Sequence, residues 1–571
     1  MKTTTVMAAP FVLRLCLTVC LVLTVSTRII KQKQYPGCPD GCECESSTTV
    51  VCDSQGVDLT YIPSVPIPTT KLLFRTNTLG DVYRDTFQNI SAGAGIKIQV
   101  LDLSDNDITS ISPMAFSRLT YLKKLDLSKN FLHYSDGLQK ALVSLKHINI
   151  QHLLLKEMGL QDESIPSNIF EPFTTQNALQ TIDLSQNKLG VFDVRMLINL
   201  TALQELSLNQ NRLFVFMGPS EEIIFPVLKK LDLRSNSFTE IPLICPTRNA
   251  IFPNLTTFLL EDNFITNFYA KDLRCLCNVH ELSLGQNPSV FVPENLIKEM
   301  SSLRILRMNY MLRVPIKISP TAFTSQSLEE LSLAGNELNT DILSQKTFTS
   351  LDNLIRLDLA GNEFNSLSFF ESSEISKFFP PNLQDLSLRN CRLDSLPKII
   401  HKKLTQLDVS ENKIAKLEKG VFSDLPNLTI LNLNSNRLTK VNESAFPPEL
   451  RDRLTAVGTD NNPLICSCAI SWLRDWMKKE AEKFFEIGYV NGCIKLDTSE
   501  PISIIDYKQD CTERHRNVIL IASVVTASFI TGVASFLVIY YRKSIKFFCY
   551  MSSRRRDGAQ LVTDSDTSSV I

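Results

Sequence analysis

Between about residue 70 and residue 462, apolar and polar positions follow one short pattern that keeps returning. It runs apolar, two other residues, then L-x-L-x-x-N-x-L, with clean copies in LQTIDLSQNKL, LQELSLNQNRL, LEELSLAGNEL and LTILNLNSNRL. The asparagine of the pattern falls at Asn77, Asn106, Asn130, Asn187, Asn211, Asn236, Asn263, Asn287, Asn336, Asn362, Asn412, Asn436 and Asn462. Met158, Met311 and Cys391 stand where three further turns expect it, which makes sixteen turns spaced 21 to 29 residues apart. A repeat of this period predicts a solenoid in which no turn buries its own leucines and each depends on its neighbours.

The length and spacing fit a leucine-rich repeat. In L-x-L both leucines point to one side of a short strand. Successive strands are then expected to pair into one parallel sheet, and the fold class is an α/β solenoid. The strand side packs more tightly than the connecting side, so a horseshoe with a concave parallel β-sheet is expected. Each asparagine sits where the chain bends away from its strand, and its side chain can satisfy backbone groups the bend leaves unpaired. Stacked through the coil, these residues form a ladder. Cys391 is read as a buried ladder residue, its thiol a weak donor. Met158 and Met311 cannot donate, so their turns are expected to be irregular. Phe87, Phe116, Phe170, Phe348 and Phe422 recur on the connecting side and are expected to fill its core.

Both ends of the 571-residue chain depart from the repeat. Residues 1–27 read as a secretory signal peptide. A second apolar run at 518–541 has 24 residues and no charge. As a helix it is about 36 Å long, enough to cross a core of about 30 Å. Arg542, Lys543, Lys546 and Arg554 to Arg556 follow it. By the positive-inside rule they put residues 542–571 in the cytoplasm and the N-terminus outside. The expectation is a single-pass protein with a single transmembrane helix, in the plasma membrane or an endosome.

A solenoid exposes apolar edges at its ends, and cysteines cluster there. The first cap, residues 38–60, holds Cys38, Cys42, Cys44 and Cys52. Of three connectivities we take the crossed pairs Cys38–Cys44 and Cys42–Cys52. Repeats fill 61–461, about 15 to 16 of them. The closing cap, 462–512, contains NPLICSCAISWLRDW, and its expected pairs are Cys466–Cys493 and Cys468–Cys511. Within the stack, Cys245 is expected to pair with Cys275, with Cys277 as the alternative partner. Five N-glycosylation acceptors occur, at Asn89, Asn199, Asn254, Asn427 and Asn442, none of them on an L-x-L strand.

Formal charge is -1, so nothing in the bulk indicates nucleic acid or a strongly charged partner. There is no phosphate loop and no metalloprotease helix, and the six histidines are scattered. The chain reads as a recognition device, with no enzyme activity, cofactor or metal expected.

From residue 38 to about 556 the chain resembles the Toll-like receptors. The resemblance rests on the first cap, the irregular repeats, the closing cap NPLICSCAISWLRDW and the flank YYRKSIKFFCYMSSRRR. It implies an ectodomain that binds a protein, lipid or other microbial or endogenous ligand in innate immunity, as a homodimer or a heterodimer with another receptor. The family's cytoplasmic Toll/interleukin-1 receptor domain needs well over a hundred residues, against about thirty after the apolar run here. The expectation is therefore a co-receptor, decoy or ligand-presenting partner. The competing function is a leucine-rich adhesion or guidance protein binding cell-surface or matrix proteins. In the tail, Cys549 is placed for palmitoylation. Ser569 to Ile571 form an ending that suits a PDZ-type partner.

Overall fold

The computed structural model describes residues 37–557, apart from 54–57, 133–136, 218–223, 247–249, 313–314, 340–341, 345, 365–377, 485–491, 496–499 and 509–511. The signal-peptide segment, Cys511, Ser569 and Ile571 lie outside the described residues. The chain divides into two compact units, one of residues 1–462 with 482–489 and one of residues 463–481 with 490–571.

The first unit is a leucine-rich repeat solenoid built on one 18-stranded sheet. Most strands are three residues long, such as Lys124–Asp126, Glu205–Ser207 and Arg356–Asp358. Their middle leucine is buried and the flanking residues face outward, as a period of two requires. Each strand pairs in parallel and in register with the next turn, for example Leu357 with Leu331 and Leu386. The exception is the first hairpin, where Glu43–Ser46 runs antiparallel to Thr49–Asp53, which then pairs in parallel with Lys71–Arg75. Behind the sheet lies a continuous leucine core. On the wider connecting side Phe87, Phe116, Phe170, Phe348 and Phe422 are buried. Phe87 stacks on Phe116 at 5.2 Å, and Phe422 meets Phe446 at 5.6 Å. Bulk on this side and narrow strands on the other curve the stack, with the sheet on the concave face.

The interior asparagines join successive turns. Asn130 Nδ2 donates to Leu103 O and Leu127 O, each at 2.9 Å, while its Oδ1 accepts from the backbone N–H groups of Asn106 and Ile108. Asn362 repeats the arrangement with Leu333 O, Leu359 O, Asn336 N and Leu338 N. Cys391 takes the same place: its thiol donates to Leu359 O at 3.2 Å, and burial pushes its pKa up to about 12. It is therefore a structural thiol and not a reactive one.

One feature of every turn has no counterpart in the sequence pattern. The residue before each ladder position has positive φ in all sixteen turns, from Thr76 at 57° to Asn461 at 55°. Only Gly335 and Gly361 are glycines; the others include Lys129, Glu157, Gln210, Ser235 and Tyr310. The left-handed residue costs about 1 to 2 kcal/mol in a side chain with a Cβ. It persists because the ladder bonds over-determine the bend.

The strands and bends at Met158 and Met311 correct the expectation of irregularity there, while residues 313–314 of the second region lie outside the described residues. Glu157 and Tyr310 keep the bend, at φ 52° and 53°. Strands His152–Leu154 and Ile305–Arg307 pair in register with both neighbours. The main-chain N–H of each methionine still donates at 2.9 Å to the following asparagine, Asn187 or Asn336. One missing side-chain donor therefore leaves the stack latched from the next turn.

Disulfides join Cys38 to Cys44 and Cys42 to Cys52 in the first hairpin, and Cys245 to Cys275 between two adjacent turns. Cys277 is free and exposed.

In the second unit, Cys466 is bonded to Cys493 with the Cα atoms 5.0 Å apart. Cys468 is also disulfide-bonded. Gly492–Ile494 pairs antiparallel with Pro501–Ser503. Helix Ser471–Lys479 buries Leu473, Trp476 and Met477, and Trp472 stacks on Trp476 at 6.1 Å. A helix runs from Thr512 to Asp557. Its segment Ile519–Arg542 is long and apolar enough to cross a membrane, and none of it is buried. Cys549 is exposed on this helix.

Candidate concave recognition site

Because the strand leucines point inward, the first and third residues of every strand, and those just beyond it, form the concave surface. Over the turns from Arg307 to Asn432 this surface encloses a hollow of about 950 Å³. Its lining carries three arginines, Arg307, Arg356 and Arg389, against five carboxylates, Glu330, Asp358, Asp385, Asp408 and Glu411.

The arginines are engaged. Arg307 pairs with Glu281 of the preceding strand and with Glu330 of the next at 3.3 Å. Arg356 bridges Glu330 at 3.4 Å and Asp385 at 3.0 Å, and its bonds to Asp385 raise its pKa further. Arg389 pairs with Glu411 at 2.5 Å, which raises its pKa in the same way. Each pair joins neighbouring turns, so the zipper fixes the guanidinium groups in place. Partly exposed pairs of this kind contribute about 1 kcal/mol or less each.

Asp358 and Asp408 stand apart. Asp358 accepts from Ser332 Oγ at 2.8 Å and from Ala360 N at 3.0 Å. Asp408 accepts from Ser410 N at 2.9 Å and from Ser410 Oγ at 2.6 Å. Among the described residues neither has a cation within ion-pair distance. They align across Ser387 in the strand between them, so two strand spacings separate their backbones by about 9.6 Å.

Tyr310 forms one rim and is 57% exposed. It lies over Gly335, where an added Cβ would come within 2.2 Å of its ring. Gly361 is next, and a Cβ there would meet Gly335 Cα at 3.4 Å. The two LAGNE copies thus supply two glycines in the left-handed position and clear the space the ring occupies.

The acceptor asparagines lie off this face. Asn199, Asn254, Asn427 and Asn442 are exposed and Asn89 is half-buried, and none lies in a strand. Asn254 and Asn427 belong to a second, outer row three residues before a strand. There Asn254, Asn278, Asn353, Asn382 and Asn427 donate from Nδ2 to Pro226, Pro253, Gln326, Asp352 and Lys402 carbonyls, at 2.6 to 2.8 Å. Sequence reading found the interior ladder but missed this row, which a recurring N-L or N-V three residues before these five strands signals. It also missed the hollow, whose lining is assembled from a few residues of each of several turns.

Comparison with known proteins fits this picture. A leucine rich repeat family model matches residues 96–155, 381–438 and 402–448. CD180 antigen of Mus musculus is 25% identical over 462 residues, covering 73% of this chain and 65% of that protein. Podocan of Mus musculus is 25% identical, covering 70% of this chain and 69% of that protein. Toll-like receptor 2 of Homo sapiens is 25% identical, covering 65% of this chain and 47% of that protein. The chain thus spans about half to two thirds of the two receptor relatives. The crystal structure of the mouse RP105/MD-1 complex shares the fold, with a TM-score of 0.60 at 20% identity, covering 80% of this chain and 77% of that one. The repeat and these relatives describe a binding scaffold and not an enzyme.

Proposed function

We propose that this chain is the ligand-binding part of a membrane-anchored receptor of Toll-like type. In this reading it recognises a protein or other ligand through the concave hollow between Arg307 and Asn432 and acts in innate immunity, at the plasma membrane or in an endosome. The hollow carries the reading: it combines fixed charges, an exposed tyrosine and strands without glycosylation acceptors. Likeness to CD180 and to Toll-like receptor 2, and a solved fold neighbour that is itself in a complex with a protein partner, support it. The apolar segment Ile519–Arg542 supports single-pass anchoring with the solenoid outside. Pairing with a second receptor copy or another receptor belongs to the same proposal.

The likeness to podocan favours a second reading, adhesion to cell-surface or matrix proteins. Photo-crosslinking of the intact protein on cells, with the probe placed at Gln406 or at Glu205, separates the two. Adducts from Gln406 with a molecule from microbes or stressed cells support the receptor. Adducts only with constitutive matrix proteins support adhesion, and adducts from neither position contradict concave recognition.

A further inference from the structure

The charge pattern of the hollow points to a more specific ligand, and here the inference rests on the receptor reading above. We propose that the hollow takes a basic polypeptide segment, with two of its Lys or Arg side chains received by Asp358 and Asp408. Three observations lead there.

First, the anion-binding groups are occupied. Arg307, Arg356 and Arg389 are each tied to carboxylates of neighbouring turns. A phosphate or carboxylate ligand has to compete with those carboxylates for the guanidinium groups. Second, polar and charged side chains dominate the strand positions that line the hollow. Leu357, Leu386 and Leu407 border the hollow, but their side chains are buried in the core, and the outward positions between them carry Glu330, Ser332, Arg356, Asp385, Ser387 and Gln406. Third, the lining has five carboxylates against three arginines, and the two left over are held in place. Hydroxyl and amide donors fix Asp358 and Asp408, and both residues line the hollow. Their separation of about 9.6 Å is within the reach of two long basic side chains carried on one face of a single segment. Tyr310, kept at the rim by Gly335, presents an aromatic ring to a cation entering beside it.

The test uses full-length protein in detergent and two fluorescently labelled probes, hexalysine and hexaglutamate, read by anisotropy at physiological salt. Asp358→Ser/Asp408→Ser is compared with Asp102→Ser/Asp126→Ser, a carboxylate pair on the same face far from the hollow. Serine is used because asparagine at 102, 126 or 408 would create an N-glycosylation acceptor. Hexalysine is expected to bind at least tenfold more weakly to the first variant, and unchanged to the second. Equal loss in both variants, loss in neither, or comparable binding of hexaglutamate overturns the proposal. Carbodiimide crosslinking of hexalysine to the unmutated protein gives a readout that does not depend on the variants folding. Adducts on Asp358 or Asp408 are expected, and adducts spread over other carboxylates contradict the inference. If concave crosslinking of the natural partner succeeds while these tests fail, the receptor reading stands and the basic ligand does not.

Discussion

The concave face is built on the same frame at both ends but decorated differently. Between Val100 and Ser207 its outward positions hold Asp102, Asp126, Lys124, His152, Thr181 and Glu205. The ion pairs there are loose, such as Lys156 with Asp183 at 3.9 Å. Among the described residues Asp126 has no ion-pair partner, and it sits beside Asp102 in register; burial is the main cause that raises its pKa. Between Arg307 and Asn432 the arginines lock carboxylates of successive turns and enclose a hollow. The interior ladder runs under both, with Met158 at one position of the first and Met311 and Cys391 at two positions of the second. What distinguishes a site in this solenoid is therefore the outward residues, which the ladder carries but does not specify.

The largest expected effect tests the sameness of the frame. Asn130→Ala and Asn362→Ala each remove the donor to three carbonyls and the acceptor of two N–H groups, and each is expected to cost about 3 kcal/mol or more. Chemical denaturation should give similar losses at both. A loss at one site below half that at the other breaks the claim of a uniform ladder. Next comes Gly335→Ala, which drives a Cβ into Tyr310 at a left-handed position and is expected to cost about 2 kcal/mol. Lys129→Ala, at the equivalent bend, already carries a Cβ and should leave the denaturation midpoint nearly unchanged.

Two charge removals should then have opposite signs, each below about 1 kcal/mol. Asp385→Ser leaves Arg356 without its closest carboxylate and should lower the melting temperature. Asp126→Ser removes a carboxylate that burial disfavours and should raise it at pH 7. The smallest effect is a pH dependence. His401 is buried, with Nε2 2.9 Å from Pro380 O and Nδ1 accepting from Lys403 N. This arrangement suits the neutral ring, and burial lowers its pKa from the ordinary 6.5. The unfolded chain then binds the proton more readily, so stability is full above about pH 6.5 and falls as pH drops from there through the folded pKa. Melting curves between pH 7.5 and 5 should show that fall, and His401→Gln should reduce it.

Much of the frame was legible because one residue type recurs at one place. The asparagine spacing marks each turn, and the leucines mark each strand. The left-handed residue before the asparagine was not legible, since Thr, Asp, Lys, Glu, Gln, Ser, Tyr and Gly all fill it. There the backbone bonds decide the conformation and propensity does not. Met158 and Met311 misled for a related reason: the turn is latched from both sides, and the sequence shows only one. The hollow was invisible because Arg307 with Tyr310, Arg356 and Arg389 lie dozens of residues apart and follow no motif. Only parallel registration brings them together.

The most direct test of concave recognition is to place a sugar in the hollow. Gln406→Asn/Asp408→Thr creates an acceptor on an exposed strand position, and Gln406→Ala/Asp408→Thr makes the same change at 408 without one. Glu205→Asn places an acceptor on the other part of the face. Crosslinking of the natural partner to the intact protein on cells should be abolished by the glycosylated Gln406→Asn/Asp408→Thr variant. It should be stronger in the unglycosylated control and fully retained with a sugar at 205. Full retention with a sugar confirmed at 406 would contradict recognition through this hollow.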